Sequence, residues 1–209
     1  MSAFIIALLG AESTGKTTLA NELGAALAAR GERVAVVGEY LREFCDREGR
    51  TPLMAEQRAI AAEQTRRIAQ AAAQHDVVIA DTTALMIAVY SDHVFDDLAL
   101  YDEALAAHAR ADLTLLTALD LPWRADGLQR DGPHVREPVD AKVRAALARA
   151  ALGCAVVFGE GEARLANALA AIARARVPED LLAGRSGRWH WVCERCGDAD
   201  CERHRLPSL

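Results

Sequence analysis

Ala3-Phe4-Ile5-Ile6-Ala7-Leu8-Leu9 leads directly into Gly10-Ala11-Glu12-Ser13-Thr14-Gly15-Lys16-Thr17. An apolar run without alternation is what a parallel strand covered on both faces requires. The two glycines let the backbone after it curl so that successive N–H groups converge on an anion. A helix opening near Lys16 would add its positive dipole end. Lys16 supplies a mobile charge for the β- and γ-phosphates of a nucleotide, and the Thr17 hydroxyl is placed to ligate magnesium. The stretch satisfies G-x-x-x-x-G-K-[ST] in full, in the strand–loop–helix context the pattern needs. The expected nucleotide contacts are Gly10, Glu12, Ser13, Thr14, Gly15, Lys16, Thr17 and Thr18. The plain alternative is a glycine turn ahead of an alanine-rich helix.

Outward from this loop, strands and helices alternate. A helix is predicted over 16–29, with Leu19, Leu23 and Leu27 on one face. A second strand covers 33–38. Thr51-Pro52 reads as an N-cap with proline at the first helical position, opening a helix that runs to Gln74. Strands at 77–80, 113–116 and 155–158 are separated by two helical stretches over 82–110 and a helix over 139–152. A last long helix covers 162–176. Residues 121–138 carry prolines, glycines and charges without periodicity, as an exposed loop does. The alternation predicts an α/β fold with a parallel sheet and right-handed crossovers. Composition changes after Gly184, so a domain over 1–184 and a cysteine-rich tail over 185–209 are expected.

A 209-residue chain, 52% hydrophobic and 26% charged, is long enough to bury a core of its own. The formal net charge of -6 provides no global basic field for nucleic acid or anionic lipid. No apolar run reaches the roughly 18 residues of a membrane span, and the opening segment lacks the basic leader of a signal peptide. The expected compartment is the cytoplasm, where the five cysteines would be thiols or metal ligands. Cys45 and Cys154 read as core residues.

Several side chains are candidates for chemistry. Asp81, directly after Val77-Val78-Ile79-Ala80, suits a magnesium-associated carboxylate, and it would also serve as a helix N-cap. Glu39 follows the second strand, at the sheet edge where α/β proteins bind ligands. A carboxylate there can accept a proton from an attacking hydroxyl. It reads equally as a dipole-complementing Glu with Arg42 its partner three residues on. In Leu121-Pro122-Trp123-Arg124-Ala125-Asp126-Gly127-Leu128-Gln129-Arg130, two arginines near glycine hinges suit a lid that closes over phosphate, or a solvated connector. Phe158-Gly159-Glu160-Gly161 offers a turn for close backbone approach to a nucleobase, and Arg164 beyond it reads as easily as a surface charge.

At G-A-E-S-T-G-K-T-T-L, E-Y-L-R-E, V-V-I-A-D-T and especially P-W-R-A-D-G-L, the chain resembles the ribosylnicotinamide kinase domain of the NadR family over residues 3–175. The resemblance implies a three-layer α/β/α P-loop kinase fold with strand order 2-3-1-4-5. It implies magnesium-dependent transfer of the ATP γ-phosphate to the ribose 5′-hydroxyl of nicotinamide riboside. By motif position, Lys16 and Thr17 would serve phosphate and magnesium, with Glu39 and Asp81 near the substrate hydroxyl and the metal. Arg124 and Arg130 would belong to the lid, and Glu39, Tyr40, Arg42, Trp123 and Asp126 to the acceptor site. Family members usually carry an adenylyltransferase domain ahead of the kinase, so only the kinase step is expected here. The expected partners are ATP, or GTP, and a small-molecule acceptor. A nucleotide-dependent ATPase or switch with a protein partner, and a kinase for another nucleoside, remain open alternatives.

In the tail, Cys193, Cys196, Cys201 and His204 form C-x2-C-x4-C-x2-H, four soft ligands able to close a structural zinc site. A redox pair, a chance cluster, or a site using His190 instead would also fit.

Overall fold

The computed structural model describes residues 2–124 and 132–177. The compact unit is Met1–Ile172; of the second unit, Ala173–Leu209, only the residues up to 177 are described. The boundary expected near Gly184 and the tail cysteines lie outside the described residues, as do Asp126 and Arg130.

Five strands, β1 (Phe4–Leu9), β2 (Val34–Val37), β3 (Val77–Asp81), β4 (Leu113–Thr117) and β5 (Ala155–Val157), form one sheet in the order 2-3-1-4-5. Every pairing is parallel. Leu8 sits opposite Asp81 on one side and Leu115 on the other, so the ends of β1, β3 and β4 meet at one edge. The P-loop leaves that edge.

Alternate side chains divide the core. Ile6, Leu8, Val77, Ile79, Leu115 and Val157 face α1 (Lys16–Ala28) and α7 (Gly161–Ala175), meeting Leu19, Leu23, Leu27, Ala168 and Ile172. The other face is covered by α2 (Tyr40–Glu48), α3 (Gln57–Ala72), α4 (Ala84–Phe95), α5 (Tyr101–His108) and α6 (Arg136–Arg149). β3 is buried throughout, which explains its unbroken V-V-I-A. The expected three-layer architecture and strand order are the ones observed.

Helix starts differ from expectation in two places. Thr51-Pro52 caps nothing; a 3-10 turn at Met54–Glu56 precedes α3. The Glu56 carboxylate organises that start by accepting from Leu53 N at 2.7 Å and pairing with both terminal nitrogens of Arg50. Likewise α6 begins at Arg136 rather than 139. Pro138 is tolerated in its first turn because the N–H it lacks would have no intrahelical acceptor there. Cys45 is buried as expected, whereas Cys154 is exposed.

Candidate active site

Ala11, Glu12 and Thr14 in the P-loop are buried. Gly10 and Gly15 take positive φ, and a Cβ on Gly10 would lie 2.0 Å from Thr117 Oγ1. Only glycine fits between the loop and the end of β4. The Thr117 hydroxyl lies 2.7 Å from Thr14 Oγ1, which in turn donates to Ala11 O at 2.8 Å. The Lys16 ammonium curls back over the loop, 2.9 Å from both Gly10 O and Ala11 O. The Thr17 hydroxyl donates to Asp81 Oδ2 at 2.5 Å. Asp81 Oδ1 is buried with no hydrogen-bond partner among the described residues. A hydroxyl beside a carboxylate with an unused oxygen is a donor set that suits magnesium.

Glu39 is the N-cap position of α2, with only 13% of its side chain exposed. Burial pushes its carboxyl pKa up, Lys16 pulls it down, Asp81 raises it and Arg42 lowers it. Those influences place Glu39 in the electrostatic neighbourhood of both the P-loop lysine and the β3 carboxylate. Arg42 reaches it at 3.4 Å. Its backbone setting depends on Gln64 of α3, a fully buried residue not anticipated from the sequence. Gln64 Oε1 accepts from Tyr40 N at 2.8 Å, and its Nε2 faces Gly38 O and Thr82 O at 3.2 and 3.4 Å. One amide thus ties the ends of β2 and β3 to the start of α2. Thr82 has φ 72, an unfavourable conformation for a β-branched residue, directly after Asp81. Thr83, rather than Asp81, caps α4 by accepting from Leu85 N.

On the opposite flank, Ser13 and Arg124 grip each other. Arg124 N donates to Ser13 Oγ at 2.8 Å, and the Ser13 hydroxyl lies 3.2 Å from Arg124 O. Arg136 is buried and donates to Leu121 O at 2.9 Å. A cavity of about 370 Å³ opens here between the P-loop, Leu121–Arg124 and the Glu160–Gly161 turn. Arg164 borders it and is 4% exposed, so it is not the surface charge its sequence context suggested.

The P-loop, Glu39 and Asp81 therefore share one edge of the sheet, with Arg124 beside the P-loop. Gln64 escaped the sequence reading and Arg164 was read as easily as a surface charge, although each carried a signal. Each is a polar residue in an otherwise apolar helical stripe, Ile60-Gln64-Ile68 and Arg164-Ala168-Ile172 respectively. Among the described residues no cluster of His, Cys, Asp and Glu is large enough to be a metal centre by itself. No helix among them is long and apolar enough to cross a membrane.

A phosphate-cradling loop at the carboxyl edge of a 2-3-1-4-5 parallel sheet defines a P-loop kinase-type fold, and the chain belongs to the AAA domain family AAA_28, whose model matches residues 5–164. Among solved structures it is similar to NadR, the protein its motifs resemble. A NadR complex with NAD and AMP-PNP superposes with TM-score 0.66 at 20% identity, over 83% of this chain and 49% of that one. A NadR complex with NR gives 0.69 at 20% identity, over 84% and 52%. Thymidylate kinase from Ehrlichia chaffeensis gives 0.58 at 16% identity, over 84% of this chain and all of that one. At these identities the likeness establishes the fold. The chain spans about half the length of the NadR chains it matches. A sequence search of the curated proteins finds no match.

Proposed function

We propose that this chain transfers the γ-phosphate of ATP, with magnesium, to a hydroxyl of a small molecule, and that the acceptor is the ribose 5′-hydroxyl of nicotinamide riboside. The observation carrying this reading is the convergence of Lys16, the Thr17–Asp81 pair and a buried Glu39 at one edge of the sheet. In this account Lys16 leaves the loop carbonyls and turns to the β- and γ-phosphates. Glu39 takes the proton of the acceptor hydroxyl as its oxygen bonds to the γ-phosphorus, and the bond to the β,γ-bridging oxygen breaks to release ADP. Thr17 and Asp81 would hold the magnesium ion, which supplies charge neutralisation of the phosphates when bound. Arg124 and Arg130 would flank the transferring group from the lid. Trp123 and Asp126, with Tyr40 and Arg42, would shape the acceptor site. The cavity beside Glu160 and Gly161 suits the nucleobase.

An acceptor without a phosphate of its own is favoured by the charges along α2, α3 and the segment between them. Arg47 pairs with Glu48, Arg50 with Glu56, and Arg67 with Glu43 and Glu63. A nucleoside monophosphate would have to compete with these carboxylates for guanidinium contacts. The likenesses to NadR and to thymidylate kinase make riboside and nucleotide acceptors the pair to separate.

Nucleosides, ribosides and nucleoside monophosphates should be screened for acceptor-dependent ADP release with magnesium. Nicotinamide riboside is expected to raise release at least about tenfold over the acceptor-free rate. Release that no acceptor changes would replace this reading with a nucleotide-dependent switch, and stimulation by a monophosphate alone would move the acceptor class.

A further inference from the structure

Arg164 has no part in the chemistry above, yet its surroundings are built around it. It sits in the first turn of α7, where a cation opposes the helix dipole, so local preference does not put it there. Its Nη2 donates to Thr14 O at 2.6 Å, across 150 residues of sequence. Its Nη1 donates to Gly159 O at 2.9 Å and to Asp120 Oδ1 at 3.1 Å. Asp120 Oδ2 accepts from Gly159 N at 2.6 Å, so carboxylate and guanidinium together hold both polar groups of that glycine.

Two consequences follow. In a trans peptide the C=O and the next N–H point in opposite directions. Fixing Thr14 O toward Arg164 therefore turns the Gly15 N–H the other way, away from Arg164. Gly159 has φ 90 and leads into the Glu160–Gly161 turn that borders the cavity beside Ser13 and Gly15. A guanidinium is a rigid planar fork, so Thr14 O and Gly159 O are held at a set separation. Charge-assisted bonds of this kind are about twice as strong as neutral ones.

We propose that Arg164, with Asp120, is a positioning pair that couples the nucleobase turn to the P-loop, so that recognition of base and of polyphosphate reinforce each other. The proposal rests on the nucleotide-binding reading of this site. Loss of the fork would leave each subsite present and the link between them broken. A lysine at the same position would keep the charge but lacks the planar fork that fixes the separation of the two carbonyls.

The test is calorimetric binding of magnesium-ATP and of magnesium tripolyphosphate to wild type, Arg164→Lys, Arg164→Met and Asp120→Asn, with thermal unfolding of each. Tripolyphosphate reports the P-loop alone, and the ratio of the two affinities reports what the base adds. Arg164→Met is expected to weaken ATP binding at least about tenfold and to shrink that ratio at least about threefold. Arg164→Lys should recover tripolyphosphate affinity without recovering the ratio, and Asp120→Asn should lower the ratio while leaving tripolyphosphate binding within about twofold. An unchanged ratio in folded Arg164→Met and Asp120→Asn, or full recovery of it by lysine, would overturn the coupling. If Arg164→Met does not fold, the lysine and Asp120 variants decide. Wild type that binds neither compound would remove the nucleotide site itself, a result distinct from an unchanged ratio.

Discussion

Lys16 and Glu39 are asked to do different things, and each makes its own prediction. Lys16 now spends its donors on Gly10 O and Ala11 O, contacts that a polyphosphate would replace. Lys16→Ala should lower phosphoryl transfer at least about a hundredfold, with the thermal unfolding temperature little changed. Glu39 must be ionised to accept a proton, and its burial raises the pH at which that happens. The acid limb of the acceptor-dependent rate should therefore lie above the ordinary carboxylate range, with rate rising as pH increases through it. Glu39→Gln should lower that rate by about a hundredfold and abolish the limb while nucleotide affinity stays within a fewfold. Asp81→Asn should instead shift the magnesium dependence. A limb that survives in Glu39→Gln would assign the proton to another group. These residues were legible because they lie within or beside local motifs. Gln64 and the role of Arg164 were not, because Thr82 lies 18 residues from the one and Thr14 lies 150 residues from the other, and only the fold brings them together.

Gln64 is where one side chain decides how elements meet. It fastens α3 to the N-terminus of α2 and to the residues that follow β2 and β3, and it sits on the side that carries Glu39. Gln64→Leu keeps most of the volume but leaves Tyr40 N and two carbonyls without partners. A loss of roughly 2 kcal/mol is expected, which for a domain of this size lowers the unfolding temperature by about 4–8 °C. Acceptor-dependent turnover should fall more than nucleotide affinity does. Equal stability in the variant would show that water or a backbone shift satisfies these groups. At this scale the sequence was readable wherever burial imposes a period. The leucines of α1 and the V-V-I-A of β3 declared themselves, since each faces the core. It was less readable at helix starts. A carboxylate reaching back from Glu56 overrode the Thr51-Pro52 signal, and α2, short and mostly polar, carried only the E-Y-L-R-E motif.

Across the molecule, a buried histidine links stability to pH. His108 at the end of α5 lies 3.0 Å from the Thr83 hydroxyl and 2.9 Å from that of Thr114, bridging the end of β3 to β4. Burial lowers its pKa to about 4. Between the ordinary histidine value and that figure the unfolded chain takes up a proton that the folded one resists. Stability should therefore be lost as pH falls from about 6.5 to 4, by on the order of 3 kcal/mol. Chemical denaturation across that window should show the slope in wild type and a shallower one in His108→Gln. The parallel α/β sheet and the P-loop could be anticipated from one alternation and one motif, and the layers and strand order from the family resemblance. The acceptor could not, since the residues proposed for its site, Glu39, Tyr40 and Arg42 with Trp123 and Asp126, are far apart in sequence and no single motif specifies them. The fate of the γ-phosphate tests the proposed transfer most directly. Wild-type protein should be incubated with magnesium, ATP labelled in its γ-phosphate and nicotinamide riboside, and the products separated and weighed by mass spectrometry. The label should appear in a riboside heavier by one phosphate group, in step with ADP, and Lys16→Ala should form none. Label recovered only as free phosphate, whatever the acceptor, would contradict it.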